Sequence, residues 1–374
     1  MALDLEERDR RYELVRKRMA DQGLDALVVV GDAQINQKGF VKYLTNYRSI
    51  LYNLAVIFPL KGEARFLVPS PLQNYWAGRL SWIPTVDQAP RLGEGLAKNL
   101  KEMGLSTATI GLINDSILSA QAHSLLLKEL PHAVWSDATP ILEELRMIKS
   151  AGEQELVWTA ATLADLSFRV LAEALRPGRT EREVMADVDR ALLAGGAEDI
   201  FHLFSARPGN LFPYTFTDRV IEKGDIVVMN TELSGPGGYW VQMVRMSFVG
   251  GRPKSGVEAM YDALVGVQSE IESQLRPGRM VGDVAAWVRN KIKESGFDAG
   301  VHFGHCLGLD VVERPLVHLD EEMVLRPGMV ITVHPQFVSR AEEATVWLGD
   351  TYLINENGSE VLTKIEPSEI RITG

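Results

Sequence analysis

The chain has 374 residues, 46% of them hydrophobic, and its 50 acidic and 39 basic residues give a formal net charge of −11. A chain of this length is too long to fold around a single hydrophobic core, so two domains are expected. The acidic balance, without a run rich in lysine and arginine, excludes nucleic acid and anionic membranes as expected partners. Because neither a signal peptide nor a run of about 18 apolar residues is found, we expect a cytoplasmic protein.

The first part of the chain alternates between helical and strand patterns. A charged amphipathic helix is predicted from about Leu5 to Gln22, and the apolar runs LDALVVVG, LAVIFPL and ARFLVP predict short buried strands. This alternation is typical of an α/β domain. We predict that this domain spans residues 1–145.

Two long helical patterns then meet near Lys149 and Ala151. Ser150 between them is suited to begin a helix, because Glu153 follows three residues later and completes a capping box. A second domain is therefore predicted to span residues 146–374.

The second domain contains an internal repeat. The pentamer LRPGR begins at Leu175 and again at Leu275, an offset of 100 residues, and an amphipathic helical pattern follows each copy. The strand patterns EKGDIVVMN and RPGMVITVH end at Asn230 and His334, an offset of 104 residues. A pentamer alone is explained equally well by a common helix-ending turn. Two matched pairs favour duplication, which places Asn230 and His334 on opposite sides of one cleft.

Several segments of the second domain resemble a known family, among them GDIVVMNTELSGPGGYWVQMVR, GHCLGL, VERP and LRPGMVITVHP. They are similar to the signature segments of the pita-bread fold of creatinase, prolidase, aminopeptidase P and methionine aminopeptidase. The segments QGLDALVVVG and YLTNY resemble the N-terminal domain of creatinase and prolidase. The resemblance implies an α/β N-terminal domain and an α+β pita-bread C-terminal domain with a pseudo-twofold repeat.

The resemblance also implies a homodimer in which the N-terminal domain of one subunit covers the partner's active site. Tyr52 and Asn53 follow YLTN, near the position of the creatinase substrate loop. We therefore expect these two residues to reach the substrate across the dimer.

The metallopeptidases of this family hold two divalent ions with two Asp, one His and two Glu. The resemblance places Asn230 and Gln242 at the Asp positions and His334 and Gly349 at the Glu positions, so only His305 matches the family ligand. Amides are poor substitutes for bridging carboxylates, and glycine has no side chain. The sequence therefore predicts that the metal pair is lost, and no cofactor is expected.

The predicted catalytic residues are His302, His305, His334 and Glu232. An isolated histidine is usually structural, but the repeat and the resemblance direct these three to one cleft, where imidazole can exchange protons near neutral pH. Glu232 lies two residues after Asn230, so both side chains share one face of a strand. Glu232 is expected to orient a histidine or to act as a base, and its alternative is a solvated carboxylate.

A second group of residues is predicted to bind the substrate: Tyr214, Asn230, Gln242, Arg245 and Glu313, besides Tyr52 and Asn53. Tyr214 occupies the position of the creatinase general base, so creatine is not an expected substrate. Arg245 and Glu313 match family positions and are expected either to bind charge on the substrate or to hold the cleft together.

Cys306 and Asp350 are expected to be structural. Cys306, the only cysteine, follows His305 directly, and adjacent strand residues point to opposite faces. A buried packing thiol is therefore favoured over a nucleophile, and a single cysteine fits a reducing compartment. Asp350 follows the vacated ligand position at Gly349.

Three classes of function are compatible with the sequence. The favoured one is a metal-independent, creatinase-like enzyme that hydrolyses a C–N bond of a small polar metabolite, although a lyase that abstracts a proton would use the same residues. The second is a metalloenzyme with one ion on Glu232, His305 and His334. The third is a binding protein of the same fold without catalysis. The sequence does not predict the substrate.

Overall fold

The computed structural model describes residues 3–299 and 302–374. The chain forms two compact units that divide between Arg146 and Met147, and the predicted division lay one residue earlier. Among the described residues, no helix has the length and apolar character needed to cross a membrane.

The N-terminal unit is an α/β structure, as predicted. Its helices are α1 (Leu5–Asp21), α2 (Gly39–Thr45), α3 (Pro71–Leu80), α4 (Leu92–Glu102), α5 (Ala120–Glu129) and α6 (Thr139–Met147). Its strands are β1 (Ala26–Gly31), β2 (Leu54–Pro59), β3 (Arg65–Val68), β4 (Thr85–Gln88), β5 (Thr109–Ile113) and β6 (Val134–Asp137). They form one sheet in the order β4-β3-β2-β1-β5-β6, in which β1 pairs antiparallel with β2 and parallel with β5.

The C-terminal unit is an α+β structure, which confirms the predicted fold class. Its helices are α7 (Ala151–Ala174), α8 (Glu181–Ala194), α9 (Ser255–Gln274) and α10 (Val281–Glu294). Its strands are β7 (Asp199–Arg207), β8 (Ile226–Ser234), β9 (Trp240–Val249), β10 (Asp298–Ala299), β11 (Gly304–Cys306), β12 (Glu313–Leu316), β13 (Val330–Val333), β14 (Gln336–Ser339), β15 (Ala344–Trp347), β16 (Asp350–Ile354), β17 (Ser359–Val361) and β18 (Ile372–Thr373). They form three sheets, ordered β18-β9-β8-β7, β12-β11-β13-β16-β17 and β10-β14-β15.

Helix α7 begins with the capping box that the sequence predicts. The backbone N–H of Glu153 donates to the Ser150 hydroxyl at 3.3 Å, and the backbone N–H of Ser150 donates to the Glu153 carboxylate at 2.7 Å. These bonds satisfy two donors at a helix start that the helix itself leaves unpaired.

The internal repeat is visible in the backbone. Each LRPGR segment joins two helices, α7 to α8 and α9 to α10, and each contains a glycine with positive φ, +90° at Gly178 and +82° at Gly278. In both copies this turn exchanges two hydrogen bonds with a later segment. The bonds are Gly178 N to Ile221 O, Ile221 N to Arg179 O, Gly278 N to Leu325 O and Leu325 N to Arg279 O. Because their partners also repeat at an offset of 104 residues, the duplication is confirmed.

Strands β11 and β13 meet closely at Gly304. They pair antiparallel, with Gly304 opposite Val333. Gly304 has φ of +146°, and a Cβ atom there would overlap the carbonyl oxygen of Thr332. Only glycine fits this position, since it has no Cβ and tolerates positive φ.

Candidate active site

Three histidines meet in the C-terminal unit, and we call them the histidine cluster: His302, His305 and His334. Their ring centroids lie 5.2 to 5.8 Å apart. One ring nitrogen from each lies within 4.8 Å of those of the other two. The structure therefore brings together all three histidines that the sequence predicts for the cleft.

The backbone of His334 is held from two sides. Its N–H donates to the carbonyl oxygen of Phe303 at 2.9 Å, which continues the pairing of β11 with β13. Its carbonyl oxygen accepts from the indole Nε1 of Trp347 at 3.1 Å. This anchoring places His334 next to the segment that carries His302 and His305.

Burial decides the charge state of the cluster. It lowers the pKa of His305 to about 4 and the pKa of His334 well below its ordinary value, and it also lowers the pKa of His302. Desolvation penalises the charged form of imidazole. The three rings are therefore neutral near pH 7, and each has a nitrogen lone pair.

Two ring nitrogens of the cluster have distinct environments. Nδ1 of His305 lies 3.0 Å from the carbonyl oxygen of Cys306. A carbonyl oxygen only accepts, so we assign the ring proton to Nδ1, which leaves the lone pair on Nε2. Nδ1 of His334 is buried without a hydrogen-bond partner among the described residues.

A second buried set, the amide–carboxyl group, consists of Asn230, Glu232 and Gln242. Strands β8 and β9 pair with Glu232 opposite Gln242. The side-chain amide of Asn230 donates to Glu232 Oε1 at 2.7 Å, and the amide of Gln242 donates to Asn230 Oδ1 at 2.9 Å. Gln242 Oε1 is buried without a partner among the described residues. The two predicted substrate-binding amides therefore hold the predicted base.

Glu232 in this group is suited to exchange protons near neutral pH. Glu232 is only 8% exposed to solvent. Burial raises the pKa of its carboxyl group to about 7, although the hydrogen bond from Asn230 opposes that rise. The alternative of a solvated carboxylate at Glu232 is therefore wrong.

Gly349 lies beside both β9 and His334. Its N–H donates to the carbonyl oxygen of Val244 at 3.2 Å, and its carbonyl oxygen accepts from the Val244 N–H at 3.0 Å. Val244 lies opposite Asn230 in the sheet. Gly349, which the resemblance places at a ligand position, therefore contributes its backbone to the site.

The guanidinium of Arg245 is occupied by the protein itself. It donates to Asp350 Oδ1 at 2.6 Å and to the carbonyl oxygens of Gly349 and Ile365. Asp350 also accepts from Gln268 at 2.7 Å. These contacts agree with the alternative expected for Arg245, that together with Asp350 it holds the cleft wall together.

Glu313 is likewise engaged within the protein. Its carboxylate accepts from Lys149 Nζ at 3.1 Å and from the backbone N–H of Leu309 at 2.9 Å. The side chains of Lys149 and Glu313 are 1% and 8% exposed. A buried carboxylate needs such partners, and these contacts agree with the alternative expected for Glu313, that it holds the cleft together.

Cys306 is a packing thiol, as predicted. It is fully buried among the hydrophobic residues of the core. Burial raises the pKa of the thiol to about 12, and a protonated thiol is a poor nucleophile.

The remaining predicted site residues are more exposed than the buried residues described above. Tyr214 is 76% exposed and Tyr52 is 66% exposed. Asn53, in the N-terminal unit, donates to the carbonyl oxygen of Ile117 at 3.4 Å. The assignment of these three residues to the substrate site stays a prediction.

Two residues that position the cluster are not among those predicted from the sequence. Trp347 fixes the carbonyl of His334 and places its ring edge-on at 5.7 Å from the imidazole. Gly304 allows the close strand pairing described above. The glycine before His305 is the only local signal, since the role of Trp347 depends on the register of distant strands.

Comparison with known proteins gives matches over nearly the whole chain. Residues 155–356 match the model for metallopeptidase family M24, and residues 11–148 match the creatinase/prolidase N-terminal domain. An Xaa-Pro dipeptidase of Pyrococcus horikoshii is 31% identical over 317 residues, which are 82% of this chain and 86% of that protein. A probable dipeptidase PepE of Mycobacterium bovis is 28% identical over 347 residues, 89% of this chain and 88% of that protein.

Solved structures agree with these matches. The prolidase from Pyrococcus horikoshii OT3 superposes with a TM-score of 0.82 and 26% identity, over 96% of this chain and 99% of that chain. The X-Pro aminopeptidase from Thermotoga maritima has a TM-score of 0.87 at 19% identity, over 97% of this chain and 99% of that chain, and shows the fold alone.

Proposed function

We propose, from the premise that the chain belongs to metallopeptidase family M24, that it hydrolyses a C–N bond of a small polar molecule. Its relative from Pyrococcus horikoshii is named an Xaa-Pro dipeptidase, and such an enzyme cleaves a peptide C–N bond. The observation that carries the proposal is the buried Glu232, held by Asn230 and Gln242. Nothing observed favours a lyase or a protein without catalysis.

The pair of metal ions that the family implies does not fit these residues. At the two Asp positions, Asn230 and Gln242 offer neutral amides, whose N–H groups are directed towards the amide–carboxyl group, and a neutral amide is a poor substitute for a carboxylate that bridges two cations. Gly349 has no side chain to offer, and His334 replaces a carboxylate with a neutral ring. We therefore restrict the expectation of metal independence to one statement, that the chain lacks the carboxylate-bridged metal pair. No step of the proposed reaction uses such a pair.

Glu232 is the proposed general base. A carboxyl group with a pKa of about 7 is ionised in a useful fraction near neutral pH and still accepts a proton readily. The carboxylate takes a proton from water, the water oxygen bonds to the substrate carbon, and the C–N bond breaks. The protonated Glu232 then returns the proton to the leaving nitrogen, so the carboxylate is restored.

A polar substrate suits the group that surrounds this base. The Oε1 atom of Gln242 is buried and without a partner among the described residues, and an unpaired buried acceptor costs stability. A substrate N–H would satisfy it. The proposed substrate is therefore a small molecule that carries an N–H group as well as an amide. An Xaa-Pro dipeptide, whose amide nitrogen has no hydrogen, would supply the N–H from its terminal amine.

We also propose that the protein is a homodimer. The N-terminal unit exposes large apolar side chains, which include Ile50 at 56%, Tyr52 at 66% and Trp76 at 47% exposure. Exposed apolar residues of this kind are usual where proteins associate. A second subunit is the proposed partner, as the family resemblance implies.

The proposed hydrolysis can be tested with isotopically labelled water. The purified chain is incubated with Xaa-Pro dipeptides, N-acyl amino acids and cyclic amides in H₂¹⁸O, and mass spectrometry measures ¹⁸O in the acid product. Hydrolysis incorporates one label per bond cleaved, whereas elimination incorporates none. Glu232→Gln should abolish the incorporation, and Glu360→Gln, an exposed glutamate of the same unit, is the matched control. Cleavage without label would overturn the proposal, and so would full incorporation by Glu232→Gln.

A further inference from the structure

We propose that His302, His305 and His334 bind one divalent transition-metal ion of the zinc type. This site differs from the carboxylate-bridged pair of the family, because its ligands are three imidazoles. It also differs from the single-ion site considered from the sequence, because His302 replaces Glu232 as the third ligand. The binding stands independently of the proposed function, and only the use of the ion in hydrolysis rests on it.

The distances between the rings suit one ion. One nitrogen from each ring already lies within 4.8 Å of the other two. Zinc bonds to imidazole are about 2.0–2.1 Å long, so tetrahedral ligands lie about 3.4 Å apart. Each pair must therefore approach by at most about 1.4 Å, which rotation of the side chains can provide.

The environments of the ring nitrogens also favour metal binding. The N–H of His305 Nδ1 donates to the Cys306 carbonyl at 3.0 Å, and an outer hydrogen bond of this kind orients a ligand and leaves Nε2 for the metal. His334 is 3% exposed, and its Nδ1 is buried without a partner among the described residues. A metal bound by the ring of His334 would offset the cost of burying that polar side chain.

The type of ligand selects the type of ion. Imidazole suits zinc, copper, iron and nickel, whereas magnesium, calcium and manganese prefer carboxylate, carbonyl and water oxygens. The group of potential ligand atoms that lie within 4.8 Å of one another contains the three histidines and not Glu232, so the inferred ligand set contains no oxygen from that residue. Three histidines leave the fourth position of a tetrahedral ion open for water or substrate.

His302 is the residue on which the site can be tested without disturbing the core. It is partly buried, whereas His305 and His334 are both 3% exposed. His302→Gln therefore removes one ligand and should keep the fold. His132→Gln is the control, because His132 is an exposed histidine of the N-terminal unit.

Direct metal binding is the decisive measurement. The full chain is stripped with a chelator, and Zn²⁺ is titrated by calorimetry; Co²⁺ is titrated separately and its visible absorption is recorded. We expect one Zn²⁺ per chain, Co²⁺ bands typical of a four-coordinate ion with three nitrogen ligands, and no comparable binding of Mg²⁺. His302→Gln should weaken Zn²⁺ binding by about tenfold or more, by analogy with the 10–100-fold loss seen when even an outer partner is removed. His132→Gln should bind like the parent protein.

Two results would overturn the proposed metal site. The first is the absence of stoichiometric Zn²⁺ binding in the parent chain. The second is equal Zn²⁺ affinity in the parent chain and in a His302→Gln variant that circular dichroism shows to be folded. The outcome for hydrolysis is separate. A chain that binds Zn²⁺ but cleaves no amide keeps the metal site and loses the proposed function. A stripped chain that still cleaves at full rate but does not bind Zn²⁺ keeps the proposed function and loses the metal site.

Discussion

A Cβ atom built on Gly349 would lie 2.5 Å from the Cβ of His334, much closer than two such atoms can approach. It would also lie 3.0 Å from a methyl carbon of Val244. The position of His334 therefore depends on the missing side chain at position 349. Two departures from the family ligands, a histidine for one glutamate and a glycine for the other, are coupled by packing in this chain.

Gly349→Ala is expected to displace His334. Overpacking of a tight core position costs about 1–3 kcal/mol, so the free energy of unfolding in urea should fall by about that amount. Zn²⁺ binding should weaken at the same time, because one ring leaves the histidine cluster. Gly358→Ala is the control, since a Cβ at Gly358 meets nothing within 4 Å. Equal stability and equal Zn²⁺ affinity in both alanine variants would contradict the coupling.

Glu232 should make the protein less stable as the pH rises. The pKa of its carboxyl group is raised by burial from 4.5 to about 7. Between these values the folded state retains a proton that the unfolded state has lost, so stability present below pH 4.5 is lost as the pH rises through about 7. The expected loss is roughly 3 kcal/mol.

Urea denaturation between pH 4 and pH 8, with a chelator present, measures this contribution. Glu232→Gln cannot titrate, so its free energy of unfolding should lack that part of the decline. Glu360→Gln should follow the parent chain, because residue 360 is exposed. Parallel curves for all three proteins would show that Glu232 titrates alike in the folded and unfolded states.

The sequence-based prediction that His334 exchanges a proton implies that His334→Gln lowers the rate of C–N cleavage by about 10²–10⁴-fold, a range that loss of a metal ligand would also reach. The melting temperature should change little, because glutamine retains much of the volume and polarity. A near-normal rate combined with a loss of about 1–3 kcal/mol in stability would instead assign His334 a structural role. His132→Gln again serves as the control.

Restoring one family ligand should not restore the family chemistry. His334→Glu returns a carboxylate to its position, yet Asn230, Gln242 and Gly349 still withhold three ligands. We therefore expect no cleavage by His334→Glu that depends on added Mn²⁺, measured with an Xaa-Pro dipeptide. Metal-stimulated cleavage by this single variant would contradict the statement that the residues do not fit a metal pair.

Arg245 should be important for folding rather than for substrate affinity. It forms a buried ion pair with Asp350 at 2.6 Å, and their side chains are 2% and 7% exposed. Arg245→Met leaves the Asp350 carboxylate buried without its cationic partner, which costs about 3–5 kcal/mol. Adding Asp350→Asn should recover part of that loss. Unchanged stability with a raised KM would return Arg245 to the substrate site.

The proposed homodimer can be checked by light scattering at micromolar concentration. We expect the mass of two chains for the parent protein and a shift towards one chain for Ile50→Asp, which places a charge among exposed apolar residues. Glu63→Asp changes an exposed residue of the same unit without changing charge and is the control. A monomeric parent protein would remove Tyr52 and Asn53 from the substrate site.

Local patterns predicted much of the fold. The capping box at Ser150 and the LRPGR turns depend on residues close together in the chain, so their sequence spacing carried the information. The meeting of His305 and His334 followed from the repeat and from the family resemblance. These predictions succeeded because the contacts recur at fixed offsets.

The partners of buried charges were not predictable in this way. Asp350 and Ile365 hold Arg245 across 105 and 120 positions of sequence, and Lys149 reaches Glu313 across 164 positions. Such pairs depend on how sheets pack, which the residues themselves do not encode locally. His302 was expected beside the other histidines, but its advantage over Glu232 as a third ligand depends on distances that only the folded chain reveals.

The repeated turns at Gly178 and Gly278 have a consequence for how the site can evolve. Each turn locks its own helix pair to a later segment through the same two backbone hydrogen bonds, and backbone bonds tolerate changes of side chain. The strand that follows each locked segment, β8 or β13, can therefore change its reactive side chains while the backbone framework stays unchanged. Here one copy presents an amide at Asn230 and the other an imidazole at His334. The duplicated frame thus provides two independently mutable positions, and new chemistry can arise at either without a new fold.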